Sequence, residues 1–294
     1  MSSSSSGGST LGRVLLASRP LSWINTAYPF GAAVLMTTGT VDVAFVVGVV
    51  FFLVPYNLLM YGVNDVFDHA SDLANPRKGG VEGALLDPGV HRTVLIAAVA
   101  STVPFVIALL VLGNPGSWLV LGVVLLAVVG YSAPRMRWKE IPVLDSATSA
   151  THFVGPAVYG LVLVEARWTW HVVVVIVAFF LWGMASHAFG AVQDVVPDRA
   201  GGIASIATAF GAARTVRLAL AAWALAGVLV AFLPWPGRLA ALFVLPYLWL
   251  AWPFRSVRDE DSARANRGWR HFLAVNYAVG FGVTMILIAT VLSR

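Results

Sequence analysis

The sequence predicts an all-α membrane protein, a polytopic bundle of nine transmembrane helices. Three observations predict it. The 294-residue chain is 59% hydrophobic and only 11% charged, with a mean hydropathy of +0.81, whereas a soluble domain carries about 25% charge. Apolar runs near the ~20 residues that cross a bilayer recur along its length, without the alternation of a membrane barrel. Sixteen of the nineteen Lys and Arg fall at the N-terminus or in every second connection between those runs.

The elements follow in order. Met1 to Thr10 is Ser/Gly-rich and lacks the apolar core of a signal peptide, so residues 1–12 are expected to form a flexible tail and 13–294 the membrane domain. The nine spans are read at 21–38, 43–63, 92–112, 117–133, 144–163, 170–191, 214–233, 238–254 and 271–292. On one side the connections are short, at 37–42, 113–117, 165–169 and 234–237. On the other, those at 65–91 and 192–213 are long, as functional loops are.

Only Arg167, Arg238 and Arg294 lie on the short-loop side. The positive-inside rule therefore puts the N-terminus and the long loops in the cytoplasm and the C-terminus outside, in a multi-pass plasma-membrane protein. The pI near 9.9 is accounted for by this topology, so no nucleic-acid partner is implied. The absence of cysteine excludes disulfides, thiol catalysis and cysteine metal sites.

Two aspartate clusters end apolar runs on the cytoplasmic side. The first is Asn64-Asp65-Val66-Phe67-Asp68-His69-Ala70-Ser71-Asp72, the second Gln193-Asp194-Val195-Val196-Pro197-Asp198. A carboxylate inside a bilayer costs roughly 2.5–3.5 kcal/mol even on lenient scales. Mg²⁺ offsets that cost, because hard cations prefer oxygen ligands and Mg²⁺ bridges carboxylates to substrate phosphates. Asp65, Asp68 and Asp72 at i, i+3 and i+7 share a narrow helical stripe with Tyr61. Pro197 opens the second cluster at a helix end, and Gly201-Gly202 offers backbone N–H groups to an anion. A short echo of the first cluster, Tyr61 to Val66, in the second, Phe189 to Val195, suggests two related bundles facing one cavity.

Other candidates carry two readings each. Arg77 and Lys78 after the first cluster, and Arg137 and Lys139 in the run Tyr131-Ser132-Ala133-Pro134-Arg135-Met136-Arg137-Trp138-Lys139, either complete a diphosphate clamp or serve only as topology signals. His187, on the same helix face as Asp194 and one to two turns deeper, and His152, beside Thr148 and Thr151, either bind substrate or a proton or simply bond neighbouring helices. Gln193 parallels Asn64 as a neutral partner.

Together, the Asn64–Asp72 motif, the Tyr131–Lys139 run and the Asp194–Asp198 motif resemble the UbiA-type intramembrane prenyltransferases, across nearly the whole chain. The resemblance implies nine helices around a central cavity, two Mg²⁺ ions and an isoprenyl diphosphate donor. Asn64, Asp68, Asp194 and Asp198 match the metal and diphosphate positions, with Asp65 and Asp72 in the same motif. Two stretches, Ser18 to Phe30 with Asn25, and Leu144 to Gly160 with Asp145 and His152, look like the lycopene elongases of C50 carotenoid synthesis.

The implied reaction moves a dimethylallyl group from its diphosphate to a lipophilic acceptor, lycopene. Asp68, Asp194, Asp198, Lys78 and Lys139 act on the diphosphate, and His187, His152 or Asp145 meets the final cation. Bulky substitutions at Gly155 or Ala157 are expected to impair the acceptor. The rivals are prenylation of an aromatic quinone or pigment precursor and a cation-coupled transporter. The first wants a basic residue near mid-span, where none stands, and the second wants its acids near the midplane rather than at one edge.

Overall fold

The computed structural model describes residues 9–74 and 85–293, and among these every regular element is helical. Seven segments are long and apolar enough to cross a membrane: Val43–Phe67, Pro88–Leu112, Pro115–Ser132, Trp170–Val192, Ala212–Ala231, Gly237–Phe254 and Asp259–Leu292. The chain is an integral membrane protein. Two of the nine expected spans fall short of that standard among the described residues. α2 (Ile24–Thr38) has 15 residues, and α8 (Leu144–Leu163) carries Asp145, Ser146, Thr148 and His152 on its buried surface.

Chain order explains most boundaries. α1 (Thr10–Ala17) is capped by Ser9, whose hydroxyl accepts from the Gly12 N–H at 3.1 Å. Residues 10–12, expected in the tail, are therefore its first turn. The span beginning at Val43 is two helices, α3 (Val43–Leu53) and α4 (Pro55–Phe67). Pro55 has no N–H to continue the ladder. That leaves the Phe51 carbonyl without its ladder donor, and at the same break the Phe52 carbonyl accepts from Thr26 Oγ1 at 2.6 Å and Asn57 Nδ2 at 2.9 Å. Such repair is what the hydrocarbon interior demands of a broken helix.

α5 (His69–Ala74) follows directly; α6 (Pro88–Leu112), capped by Asp87, packs on α4, and α7 (Pro115–Ser132) precedes α8 and packs on it. α9 (Trp170–Val192) leads through short α10 (Val195–Ala200) and α11 (Ile206–Phe210) to α12 (Ala212–Ala231). The 3₁₀ run Gly237–Val244, α13 (Leu245–Ala251), a 3₁₀ run at Asp259–Ala265 and α14 (Asn266–Leu292) complete the chain.

Two aromatic cores organise the bundle. Phe30, Phe51, Phe52, Tyr56 and Tyr159 pack together in the N-terminal half. Phe189, Trp223, Tyr247 and Phe272 do so in the C-terminal half. One cavity is lined by helices of both halves. α14 meets α2 through Tyr28 Oη and Thr284 Oγ1, 2.7 Å apart, and the turn before α2 through Tyr277 Oη donating to the Leu21 carbonyl at 3.2 Å.

Candidate active site

The cavity is open-sided and has a volume of about 2940 Å³. Ligand pockets usually hold about 300–1,000 Å³, so this one suits a ligand far larger than a metabolite. One end is lined by Asn64, Asp68 and Asp72 from one half and Gln193, Asp194 and Asp198 from the other. From there it runs past Tyr131, His152 and His187 to Met36, Phe179, Phe243 and Ile286. The echo between the two clusters thus corresponds to two acidic edges facing one space.

The first edge comes from the end of α4. Asn64, Asp68 and Asp72, four residues apart, are the cavity-facing positions, with Asp68 as the helix C-cap. Ser132 Oγ donates to Asn64 Oδ1 at 2.7 Å and holds the amide in place. Lys139 is ion-paired with Asp68, and Arg137 Nη2 stands 3.8 Å from the same oxygen. Burial pushes the Asp68 carboxyl up from its ordinary range, while Lys139 and Arg137 pull it down. The hydrogen bond that Arg137 donates to Glu140 raises the Arg137 guanidinium and lowers the Glu140 carboxyl.

Sequence accounts for this arrangement of the basic pair. Pro134 forces Ala133 into extended backbone and ends α7. Arg135 and Arg137 then adopt left-handed backbone, with φ of 74° and 39°. The turn folds back so that Trp138 lies against Gly130, where a Cβ would come within 2.8 Å of the ring.

Asp65 departs from the expected metal stripe. Its side chain is fully buried off the cavity lining and accepts from Arg19 Nη2 at 2.7 Å. Arg19 has φ 49° and lies 4.3 Å over the Tyr61 ring. Burial alone would lower the Arg19 guanidinium, but the charge of Asp65 reverses this and raises it. Asp65 is at the margin of the helical stripe, and a half-buried arginine claims it. Sequence reading missed Arg19 as more than a topology signal. Its position before Pro20 at the start of a span was the available clue.

The second edge sits on an anchored loop. Asp194 and Asp198 flank the first turn of α10 and line the cavity. Arg199 donates to Asp259 at 2.6 Å and to the Thr208 carbonyl at 2.8 Å. Asp259 accepts the Ala212 N–H at 2.7 Å, so the loop is tied to the start of α12. Gln193 reaches the cavity, but its amide is committed to structure: Nε2 donates to the Gly190 carbonyl at 2.9 Å and Oε1 accepts from Asn266 at 2.6 Å.

Asp145, expected to contact substrate or the final cation, lies off the cavity lining. It is fully buried and accepts the N–H groups of Ser146 at 2.6 Å and Ile206 at 2.7 Å, pinning α11 to α8. Asn25, Tyr131, His152 and His187 all line the cavity. Ala157 does too, whereas Gly155 faces α7, where a Cβ would meet Val124 at 2.6 Å. Gly155 is therefore a helix-contact position and not part of an acceptor wall. Arg77 and Lys78 lie outside the described residues.

Among the described residues no three His, Asp or Glu side chains converge closely enough to cage an ion. The oxygen donors instead stand on two edges with basic side chains beside them, an arrangement suited to a metal bound partly through a substrate phosphate.

A "Lycopene elongase/hydratase" from Corynebacterium glutamicum is 48% identical over 276 residues, 94% of this chain and 96% of that protein. The "C(50) beta-cyclic carotenoids biosynthesis protein LbtBC" of Dietzia sp. is 50% identical over 277 residues, 94% of this chain and 64% of that protein. The structure of a UbiA homolog from Archaeoglobus fulgidus bound to DMAPP and Mg²⁺ superposes with a TM-score of 0.65 at 17% identity, covering 91% of this chain and 98% of that one. The model of the UbiA prenyltransferase family matches residues 26–276, and the chain belongs to that family.

Proposed function

We propose that this prenyltransferase moves a dimethylallyl group from its diphosphate to lycopene, in the synthesis of C50 carotenoids. The observation that carries the reading is a single cavity of about 2940 Å³ joining an oxygen-rich, base-flanked end to a long apolar reach. The first suits an allylic diphosphate, the second a large neutral hydrocarbon. Relatives named as lycopene elongase/hydratase support the acceptor, and the similar fold bound to DMAPP and Mg²⁺ supports the donor.

The all-oxygen donor set fits Mg²⁺. Asn64, Asp68 and Asp72 on one edge and Asp194 and Asp198 on the other would hold it, as two ions around one diphosphate. Bound there, Mg²⁺ supplies charge neutralisation for the departing diphosphate. Lys139 and Arg137 stand on the Asp68 side and add cationic contacts to the same leaving group. Arg77 and Lys78 are assigned to the same clamp on their sequence position. The apolar walls hold the acceptor by burial, at roughly 25 cal/mol per Å², and keep water from the allylic cation.

An aromatic carboxylate acceptor is not favoured. Among the described residues, the Lys and Arg lining the cavity are Arg19, Arg137 and Lys139 at the aspartate end and Arg167 at the far end. The distribution of basic residues supports a plasma-membrane protein with its N-terminus and active site cytoplasmic and its C-terminus external. The test is expression in a lycopene-producing host with mass spectrometry of the pigments. Gain of one or two C5 units in the carotenoid pool is expected. An unchanged carotenoid pool beside a prenylated phenol or quinone precursor would overturn the acceptor.

A further inference from the structure

Between the aspartates and the apolar reach, three helices meet at one imidazole. His187 of α9 places Nδ1 3.1 Å from Ser146 Oγ of α8 and Nε2 3.1 Å from Tyr131 Oη of α7. Tyr131 and His187 both line the cavity. His152 closes the group, its ring edge-on to Tyr131 with centroids 5.3 Å apart. None of these contacts is needed to hold a diphosphate. His187 lies seven residues before Asp194, about 10 Å along the helix at 1.5 Å per residue. It therefore faces the hydrocarbon and not the leaving group.

The partners are suited to one task. A hydroxyl both donates and accepts. Ser146 and Tyr131 can thus hold a neutral imidazole and an imidazolium by the same two contacts, with no group left unsatisfied in either state. Behind Ser146, the buried Asp145 carboxylate is fixed by two backbone N–H groups and supplies a negative charge on that side.

We infer that the Tyr131–His187–Ser146 cluster is the proton acceptor that completes the reaction, with His187 holding the proton. This rests on the allylic transfer to an alkene proposed above. The donor C–O bond breaks and its electron pair leaves with the diphosphate. The terminal double bond of the acceptor supplies the pair for the new C–C bond, leaving a tertiary cation. A C–H bond beside that cation breaks, its pair forms the new double bond, and the proton passes through Tyr131 Oη or directly to His187. Where water adds to the cation instead, one of its protons takes the same path. Donor and acceptor give product, diphosphate and one proton.

The experiment uses the full chain in liposomes containing lycopene, supplied with dimethylallyl diphosphate and Mg²⁺. Diphosphate release and coupled carotenoid are measured separately. Positioned bases contribute about 10²–10⁴-fold, so His187→Ala should lower coupled carotenoid about 10²-fold while diphosphate release continues. Added imidazole should restore coupling in that variant, an effect a purely structural histidine would not show. His187→Gln keeps hydrogen-bonding capacity but holds no proton, and should behave like His187→Ala without imidazole. Wild-type coupling in His187→Gln overturns the inference. So does joint loss of diphosphate release and coupling in His187→Ala without rescue. A wild-type protein that couples nothing to lycopene overturns the proposed acceptor instead, before any variant is made.

Discussion

Replacing Asp65 by Asn separates two roles that the sequence motif merges. The wild-type carboxylate is fully buried and bonded to Arg19 at 2.7 Å, and the Arg19 side chain is 21% exposed. Breaking a buried ion pair by removing one partner costs about 3–5 kcal/mol. The lower end applies, because Arg19 keeps some solvent and its place over Tyr61 at 4.3 Å. A loss of about 3 kcal/mol corresponds to a fall in Tm of roughly 6–10 °C for a chain of this size.

The eleven tryptophans allow this to be read by intrinsic fluorescence in detergent. Replacing both partners by apolar residues, as in Arg19→Met with Asp65→Leu, should recover most of the loss, since a matched apolar pair avoids the desolvation of two charges. Below its Tm, Asp65→Asn should retain the Mg²⁺ requirement of the wild type. An unchanged Tm together with a tenfold rise in the Mg²⁺ needed would refute the reasoning and make Asp65 a ligand.

Three further outcomes are expected. Asp68→Ala and Asp194→Ala should abolish turnover without preventing membrane insertion, and Lys139→Ala should raise the donor KM while leaving acceptor choice unchanged. Kinetics in proteoliposomes check both, and substantial turnover in either aspartate variant counts against the paired edges. Reporters at Gly79 and Gly201 should be cytoplasmic, and those at Gly116 and the C-terminus external; opposite locations for the first two would be incompatible with one shared site. Ala157→Phe should impair lycopene use with donor cleavage retained. Gly155→Val, which forces α8 off Val124, should lower Tm and both activities together, as thermal melts beside product analysis would show.

The helical class was readable because hydropathy and charge act over whole spans, where neighbouring contacts average out. The two acidic edges were readable for a related reason, since clustered carboxylates in apolar sequence have few roles. What sequence hid were choices made by single contacts. Asp65 and Asp72 are near neighbours on a helical wheel, yet Asp72 lines the cavity while Asp65 pairs with Arg19, far away in the chain. Asp145 reads as a site residue until Ile206 brings its N–H to it. Gly155 and Ala157 are two small residues of one helix, separated by which neighbour each faces. α8 also shows the limit of counting spans by apolarity: its polar residues are buried against protein, so it tolerates a composition that no lipid-facing helix would.

The repaired break at Pro55 makes two distant positions answer for one carbonyl. Thr26 and Asn57 both serve Phe52, and Asn57 Nδ2 also donates to Thr26 Oγ1 at 2.7 Å. Loss of either leaves the Phe52 carbonyl with one side-chain donor in place of two, while replacing all three features together, with Pro55 changed to a residue that restores the ladder, removes the need for both. Evolutionary drift at these sites should therefore be concerted. Lineages that keep proline should keep both polar partners, and those that lose it should be released from them jointly. A set of homologues in which proline persists while Thr26 and Asn57 vary independently would contradict that constraint.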